Sequence, residues 1–187
     1  MEDKSAYPEL GDALLSHARA SIAEHLGLQA ESKLDHPALH ETGASFVTLS
    51  KNGLLRGCMG QLEARRLLGL DVSHNALAAA FQDPRFPPVS RAEWPDLAVE
   101  VSVLGPVQYA YCPTEEDCLR QIVPFEDGVI LSSGFRRATF LPQVWEQFSS
   151  KEEFLRQLSL KARGGADLWS QPGTEVLVYQ VEAFKER

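Results

Sequence analysis

The residues best suited to chemistry lie in one short stretch, Leu54-Leu55-Arg56-Gly57-Cys58-Met59-Gly60. Arg56 and Cys58 are two positions apart, so on an extended strand both side chains project from the same face. The thiolate is the reactive form of cysteine, and a neighbouring guanidinium favours it. Gly57 and Gly60 leave the backbone open to close approach by another group, or to φ values that other residues avoid. The pattern predicts a site for thiol chemistry, anion binding or both.

A metal centre is not expected at this stretch. Cys58 has no His, Asp or Cys near it at ligand spacing, so it cannot complete a zinc site locally. Cys112 and Cys118 bring the cysteine count to an odd number, which fits reduced thiols in a cytoplasmic protein better than disulfides. We interpret Cys112 and Cys118 as small buried hydrophobic residues. The sequence indicates no cofactor.

Composition narrows the function classes further. The chain has 187 residues and a net charge of −8, so broad electrostatic binding to nucleic acid is not expected. No apolar run approaches the roughly 18 residues of a membrane span, and residues 1–6 do not form a signal peptide. Together with the cysteines, this predicts a cytoplasmic protein. Its length predicts a single domain over residues 1–187, with enough chain to bury a substantial core.

The elements around the motif can be predicted from local patterns. Asn52-Gly53 between two apolar runs is typical of a hairpin turn, so strands over 45–50 and 54–62 form a hairpin with the motif on its second arm. A helix over 67–82 follows, with Asp71 or Ser73 as the cap of its main body. Pro84 ends that helix, because proline cannot continue it.

Two further segments are candidates to face the motif. The rigid loop Asp83-Pro84-Arg85-Phe86 either forms a wall of the site, or its Asp83 and Arg85 pair with each other or with nearby backbone. The spacing of Ser90 and Glu93 is that of a capping box and predicts a short helix. A strand over 97–104 carries Glu100 on a half-polar face. If that face meets the hairpin, Glu100 is the candidate partner for Arg56.

The remaining elements define the fold class. Helices alternate with hairpins and isolated strands, which is typical of an α+β fold with antiparallel pairing. We predict helices over 8–26, 114–121 and 150–162, a helix opened by Pro142, and strands over 128–132, 135–141 and 175–183.

Several motifs, taken in order, resemble the AMMECR-one family. The resemblance covers nearly the whole chain from about residue 46, and each motif is weak alone while the ordered set is specific. The family usually has Ile at the position of Met59, which exchanges one apolar residue for another. The motifs are Leu55-Arg56-Gly57-Cys58-Met59-Gly60, Ala79-Ala80-Phe81 with Asp83-Pro84-Arg85-Phe86, Val101-Ser102-Val103-Leu104, Asp127-Gly128-Val129-Ile130-Leu131, Leu141-Pro142-Gln143-Val144 and Lys161-Ala162.

The resemblance implies an α+β fold with an antiparallel β-sheet, flanking helices, and a larger and a smaller lobe. It also implies that the Leu-Arg-Gly-Cys motif lies at or near a cleft. Bacterial and archaeal members are known as the A component of the AmmeMemoRadiSam system. The implied partners are therefore a Memo-like protein, related to extradiol dioxygenases, and a radical-SAM protein. The family has no settled biochemical activity.

The leading functional hypothesis is an accessory binding module. Arg56, Arg85 and Lys161 would converge on a small anion such as a phosphate or carboxylate, while Gly57 and Gly60 would allow backbone contact. Such a module would bind the ligand, or a partner protein, at the Leu-Arg-Gly-Cys motif.

Two alternatives stay open. In the first, the protein is an enzyme that uses Cys58 as a nucleophile or redox thiol, with backbone N–H groups at Gly57 and Gly60 holding an oxyanion. No histidine lies in a family motif, so the usual Cys–His pairing is missing from this alternative. In the second, the motif is architectural: Arg56 pairs with an acid, Cys58 is packed, and the glycines allow two elements to cross.

Overall fold

The computed structural model describes residues 9–186, so the predicted helix start at Pro8 and the segment 1–6 lie outside the described part. The chain divides into two compact units, one comprising residues 9–104 and 182–186, the other Gly105–Val181. Both contain antiparallel strands and helices, which confirms the α+β class. Between residues 9 and 186, no helix has both the length and the apolar character that a membrane span needs.

The first unit is built on an antiparallel sheet with strand order β3-β2-β5, and the C-terminal end of β9 lies beside β5. A separate two-stranded ribbon joins β1 to β4. Short 3₁₀ turns lie at Pro37–His40 and Trp94–Asp96. The elements are α1 (Leu10–His25), β1 (Thr42–Gly43), β2 (Ser45–Lys51), β3 (Leu54–Gly60), β4 (Arg66–Leu67), α2 (Leu68–Phe81), β5 (Leu97–Leu104) and β9 (Glu175–Lys185).

The predicted hairpin is present and its turn explains the register of the motif. Asn52 and Gly53 have φ values of 52° and 77°, the positive values that Asn-Gly turns need. The β2–β3 register shifts between Leu49 and Ser50, and Arg56 has no partner on β2 in the resulting pairing. A β-bulge of this kind re-aims a side chain, and here the affected residue is Arg56.

The core of the first unit lies between one sheet face and the two helices. Val47 and Leu49 of β2 and Val99 and Val101 of β5 are fully buried there. The small residues of α2 face this sheet, and they allow a close approach of helix and strand. They include Ala76, Ala79 and Ala80.

The prediction that Asp71 caps α2 is wrong. Leu67 occupies the N-cap position without a side-chain hydrogen bond, and Asp71 lies inside the helix, fully buried. Its carboxylate accepts hydrogen bonds from the backbone and hydroxyl of Ser45 at 2.8 and 2.7 Å, and from the Asn75 amide at 2.9 Å. The Gln61 amide donates to its other oxygen. This network fastens α2 to the start of β2, which compensates for burying a charge.

The second unit has a sheet in which β6 and β7 flank β9, and β8 pairs with β7. Its two helices are present as predicted, capped by the side chains of Thr114 and Ser150, and the helix predicted to open at Pro142 is a 3₁₀ helix. β6 was not predicted, because a strand of three residues is too short to show an alternating pattern in the sequence. The elements are β6 (Gln108–Ala110), α3 (Glu115–Gln121), β7 (Asp127–Ser133), β8 (Arg136–Phe140), a 3₁₀ helix (Pro142–Gln147), α4 (Lys151–Lys161), a 3₁₀ turn (Leu168–Ser170) and the first part of β9.

Candidate functional site

The loop after α2 lies against the free edge of β3, where it satisfies the backbone of Cys58. The Cys58 N–H donates to Asp83 Oδ2 at 2.9 Å, and Arg85 Nη2 donates to the Cys58 carbonyl at 3.4 Å. An unpaired edge strand exposes such groups to wrong pairing, so these side chains stand in for a missing neighbour strand. The structure thus brings Cys58, Asp83 and Arg85 together, as the hypothesis of a site wall requires.

Asp83 and Arg85 also form a two-pronged ion pair with each other. Arg85 Nε and Nη2 donate to the two carboxylate oxygens at 2.9 and 2.7 Å. The Asp83 side chain is 2% exposed and that of Arg85 is 54% exposed. Hydrogen bonding from the Arg85 side chain holds the pKa of Asp83 far below its usual range, with further help from the Cys58 and Arg85 backbone N–H groups, although burial opposes the shift. The mutual pair of Asp83 and Arg85 is therefore present, while the prediction that this loop forms a wall of a binding site stays a prediction.

This depressed pKa predicts how stability depends on pH. Because the folded-state pKa of Asp83 lies below the unfolded value of about 3.9, its contribution is present at neutral pH and is lost as the pH falls below about 4. We expect Asp83→Asn to lower the free energy of unfolding at pH 7 by about 2 kcal/mol. The difference in the free energy of unfolding between wild type and variant should become smaller as the pH is lowered to 3. Urea unfolding at several pH values measures it.

Glu153 supplies the matched control for that experiment. Hydrogen bonding from Arg156 also lowers the pKa of Glu153, but this pair lies in solvent, where screening removes most of its effect. Glu153→Gln should therefore leave the free energy of unfolding essentially unchanged at every pH. A constant gap between wild type and Asp83→Asn from pH 7 to pH 3 would show that the charge of Asp83 does not stabilise the fold.

Arg56 has a carboxylate partner, but that partner is Glu93. Arg56 Nε and Nη2 donate to the two Glu93 oxygens at 2.7 and 3.0 Å, and Nη2 also donates to the Pro87 carbonyl at 2.9 Å. The two side chains are only 12% and 19% exposed. Hydrogen bonding from Arg56 lowers the pKa of Glu93. Arg56 is therefore engaged inside the protein, and the expectation that Glu100 is its partner is wrong.

Glu93 was not predicted as the partner of Arg56, because its spacing from Ser90 is also explained by a local capping box. The Glu93 N–H does bond the Ser90 hydroxyl at 3.3 Å, as in the first half of a capping box. The carboxylate, however, turns to Arg56, and the chain continues as a turn and the 3₁₀ stretch Trp94–Asp96. The available signal was that Glu93 lies close to the proline-rich loop in the sequence and that Arg56 needed a carboxylate partner. The predicted helix here is thus only one turn.

The two glycines of the motif are positions of close packing. A Cβ on Gly57 would overlap the backbone carbonyl oxygen of Ala79 on α2. A Cβ on Gly60 would meet the Phe46 ring and the Ser45 carbonyl oxygen. Neither glycine has a positive φ, so the requirement is for space. Gly57 is what lets α2 dock directly on β3.

Cys58 lies in a row of side chains that crosses three strands. Thr48 of β2 is opposite Cys58 of β3 and opposite Glu100 of β5, so the three share the outer face of the sheet. The Thr48 hydroxyl donates to Cys58 Sγ at 3.3 Å, and all three residues are half-buried. Glu100 is 3.9 Å from Lys185 Nζ, a weak ion pair.

Lys161 belongs to the second unit and has contacts of its own there. Its Nζ donates to the Thr139 carbonyl at 2.9 Å and lies 4.9 Å from the centre of the Phe140 ring. Burial lowers the pKa of Lys161. The residue as a whole is nevertheless exposed, so the ammonium keeps access to water. A role for Lys161 in anion binding stays a prediction.

Together these contacts divide the motif by role. Arg56 and Gly57 face inward, one in an ion pair and the other in helix packing, as the architectural alternative predicts. Cys58 and Arg85 remain partly accessible. In residues 9–186 no group of three or more His, Cys, Asp or Glu side chains is arranged to hold a metal ion.

Fold and site define an α+β protein whose edge strand is closed by an acidic–basic loop. The AMMECR1 family model matches residues 15–184, and the chain belongs to this family. A protein of Methanothermobacter thermautotrophicus is 37% identical over 180 residues, covering 94% of each chain. One from Thermotoga maritima is 36% identical over 160 residues, covering 84% of this chain and 86% of that protein. The crystal structure of uncharacterized protein PH0010 from Pyrococcus horikoshii superposes with a TM-score of 0.84 at 35% identity, covering 95% and 91%.

Proposed function

We propose that this protein is an accessory binding module that takes a small anion, a phosphate or carboxylate, at Arg85 beside Cys58. The observation that carries the proposal is that the Arg85 guanidinium is held in one position and is also exposed to solvent. Its Nε and Nη2 are held by the buried Asp83 carboxylate, while more than half of the side chain is exposed. A guanidinium positioned in this way loses little conformational entropy on binding an anion.

The contacts around Arg85 limit which atoms can take part. Among residues 9–186, Arg85 Nη1 has no hydrogen-bond partner, so it is the donor available to a ligand. Phe86 lies between the two arginines, with its ring centre 5.5 Å from Arg85 Cζ and 5.7 Å from Arg56 Cζ. Arg56 supports the loop through Glu93 and Pro87 and does not itself present a charge. The proposal therefore moves the binding role from Arg56 to Arg85.

The partner side of the proposal comes from the family. The AMMECR-one resemblance associates such proteins with Memo-like and radical-SAM proteins, and we propose that this module acts with partners of those two kinds. Leu54 and Leu55, at the start of β3, are 74% and 46% exposed and adjoin the motif. Exposed apolar side chains beside a charged loop suit a protein contact.

The test measures anion binding and depends on Arg85. We expect inorganic phosphate or succinate to bind the wild type in calorimetric titration, and Arg85→Ala to weaken binding by about tenfold, because a charge-assisted hydrogen bond is lost. Arg120→Ala is the matched control, since Arg120 is also an exposed arginine paired with a carboxylate, that of Glu116. The same variants serve in pull-downs with Memo-like and radical-SAM proteins.

Two outcomes would contradict the proposal. One is equal anion binding by wild type and Arg85→Ala, and the other is an equal loss in Arg120→Ala. Cys58→Ser should leave binding within about twofold, because the hydroxyl keeps the shape of the thiol. If Cys58→Ser abolishes binding as well, the thiol is part of the site. That result would favour the alternative in which the protein is an enzyme that uses Cys58.

One observation favours that alternative, an enzyme using Cys58. The Thr48 hydroxyl donates a hydrogen bond to Cys58 Sγ at 3.3 Å, and Cys58 is only half-buried, so a reagent can reach the thiol. Thiol chemistry at Cys58 is the second candidate function.

We expect Cys58 to react with iodoacetamide at least about tenfold faster than Cys112 or Cys118. Burial raises the pKa of both Cys112 and Cys118, so their thiolates are scarce, and Cys118, at 1% exposure, is also hard to reach. Peptide mass spectrometry after timed labelling gives the three rates. Equal or slower labelling of Cys58 would mean that it is packed and would remove the enzymatic candidate. Thr48→Val deletes the hydroxyl that donates to Cys58 Sγ, and it should slow the labelling of Cys58.

A further inference from the structure

We propose a second binding site in the first unit, beside α1, that takes a small organic cation with an apolar body. It is a cavity of about 600 Å³ along one side of α1, closed by the segment after that helix and by Trp94. This volume is within the range of small-molecule sites. The residues that decide its chemistry are Asp12, Leu15, Arg19, Ala23, Glu31 and Trp94.

The floor of the cavity is apolar. Ala20 and Ala23 lie on a face of α1 distinct from the core-facing stripe of that helix, which consists of Leu14, Ala18 and Ile22, while Leu15 lines the cavity and also packs against the core. Ala20 and Ala23 are small, so the cavity has room above the helix at these positions. Trp94 is 6% exposed and adds an aromatic wall. An apolar body of a ligand would be desolvated here.

The one arginine in the lining is already neutralised. Arg19 Nε and Nη2 donate to the two Glu186 oxygens at 2.5 and 2.7 Å, and Nη2 also donates to the Leu97 carbonyl. Its guanidinium is stacked 4.3 Å above the Trp94 ring. Arg19 and Glu186 therefore make a rigid end wall with no net charge. An anionic ligand would find no free cation in this wall.

Two carboxylates of the lining are left without a counter-charge. Among residues 9–186, neither Asp12 nor Glu31 has an ion-pair partner. Both lie at the lining of the same cavity, Asp12 from the first turn of α1 and Glu31 from the segment after the helix. The lining thus has a net negative charge above an apolar floor. This combination selects a cation that also has hydrocarbon or aromatic surface.

The segment that carries Glu31 is held in place. The Leu34 N–H donates to the Ser16 hydroxyl at 2.9 Å, and that hydroxyl donates to the Ala13 carbonyl at 2.8 Å. The Leu28 N–H donates to the Ala23 carbonyl at 2.9 Å. Both ends of the segment are therefore fastened to α1, and the wall exists before a ligand binds.

The test uses phenethylammonium as the probe, with 2-phenylethanol and phenylacetate as neutral and anionic analogues of the same shape. We expect phenethylammonium to bind the full chain with a dissociation constant on the order of 1 mM. The alcohol should bind about fivefold more weakly and phenylacetate not measurably. The readouts are calorimetric titration and the intrinsic tryptophan fluorescence, to which Trp94 is one of three contributors.

Variants locate the binding. Asp12→Asn with Glu31→Gln should weaken phenethylammonium by about fivefold, and high salt should weaken the wild type in the same direction. Ala23→Leu should abolish binding by filling the floor, with the fold checked by thermal melting. The control is Glu115→Gln with Glu126→Gln, which makes the same charge change in the other unit.

Three results would overturn the proposal. They are no binding of phenethylammonium at millimolar concentration, equal affinity for the cation and the alcohol, and unchanged affinity in the Asp12→Asn, Glu31→Gln variant. Arg85→Ala should not affect this binding, since Arg85 lies in the loop at β3 and outside the cavity lining. The anion site and the cation site therefore succeed or fail separately.

Discussion

Arg56→Ala is expected to lower the free energy of unfolding by about 3 kcal/mol, because it leaves the Glu93 carboxylate largely buried without its guanidinium. Glu93 is 19% exposed, and the remaining cation, Lys51 Nζ, is 3.9 Å away and only partly compensates. The Pro87 carbonyl also loses its donor. Urea unfolding followed by circular dichroism measures the change.

A double-mutant cycle distinguishes this ion pair from lost packing. Glu93→Gln in the Arg56→Ala background removes the stranded charge, so it should recover at least about 1 kcal/mol relative to Arg56→Ala alone. Arg65→Ala is the control, since Arg65 has only an exposed partner in Glu63, and it should change stability by less than about 0.5 kcal/mol. Additive losses from the two single variants would show that Arg56 and Glu93 do not depend on each other.

This result bears directly on function. If Arg56→Ala destabilises the fold while Arg85→Ala does not, loss of binding in the first variant reports damage to the scaffold and loss in the second reports the site. Arg85→Ala also leaves a carboxylate without its guanidinium, because Asp83 is 2% exposed and would keep only the backbone N–H groups of Cys58 and residue 85 as donors, so this variant too must be shown to fold before its binding is interpreted. Binding data on Arg56 variants must therefore be interpreted beside their unfolding curves.

The second large effect is expected at Gly57. Gly57→Ala should destabilise the chain by about 3 kcal/mol, because the added Cβ overlaps the Ala79 carbonyl oxygen and backbone cannot rotate away. Separating α2 from β3 would also pull Asp83 from the Cys58 N–H, so Cys58 labelling should change together with stability. Urea unfolding and the timed iodoacetamide reaction are the two measurements.

Gly105→Ala is the matched control for that change. A Cβ at Gly105 would lie 3.3 Å from the Gln180 carbonyl oxygen, a tight distance that a small shift relieves, and its φ is not positive. It should cost less than about 1 kcal/mol. If Gly57→Ala is as mild as Gly105→Ala, close docking of the helix on the strand is not the reason for a glycine at position 57.

Local interactions explain which elements were predictable. The Asn52-Gly53 turn, the Thr114 and Ser150 caps and the start of the 3₁₀ helix at Pro142 depend on residues within four positions of each other. Such contacts are present in the sequence pattern before the chain folds. The alternating strand over Leu97–Leu104 is likewise a pattern of neighbours, and its prediction is confirmed.

The errors share the opposite cause. Asp71 resembles a cap by position, yet its partner Ser45 is 26 residues away; Glu93 resembles half of a capping box, yet its partner Arg56 is 37 residues away. A side chain chooses between a local and a distant partner only when the tertiary fold brings the distant one close. Burial decides the competition, because a buried charge must be satisfied by whichever groups are within reach.

The sequence by itself determined the fold class, the position of the motif on a hairpin arm and the family, because periodicity, turn chemistry and ordered motifs are all local properties. Only the tertiary structure decided which motif residues are accessible. The β-bulge and the ion pair with Glu93 turn Arg56 inward, and the Ala79 carbonyl oxygen occupies the space beside Gly57. The loop at Asp83 leaves Arg85 in solvent next to Cys58. Exposure and pairing depend on contacts between segments far apart in the chain, and spacing along the sequence does not specify them.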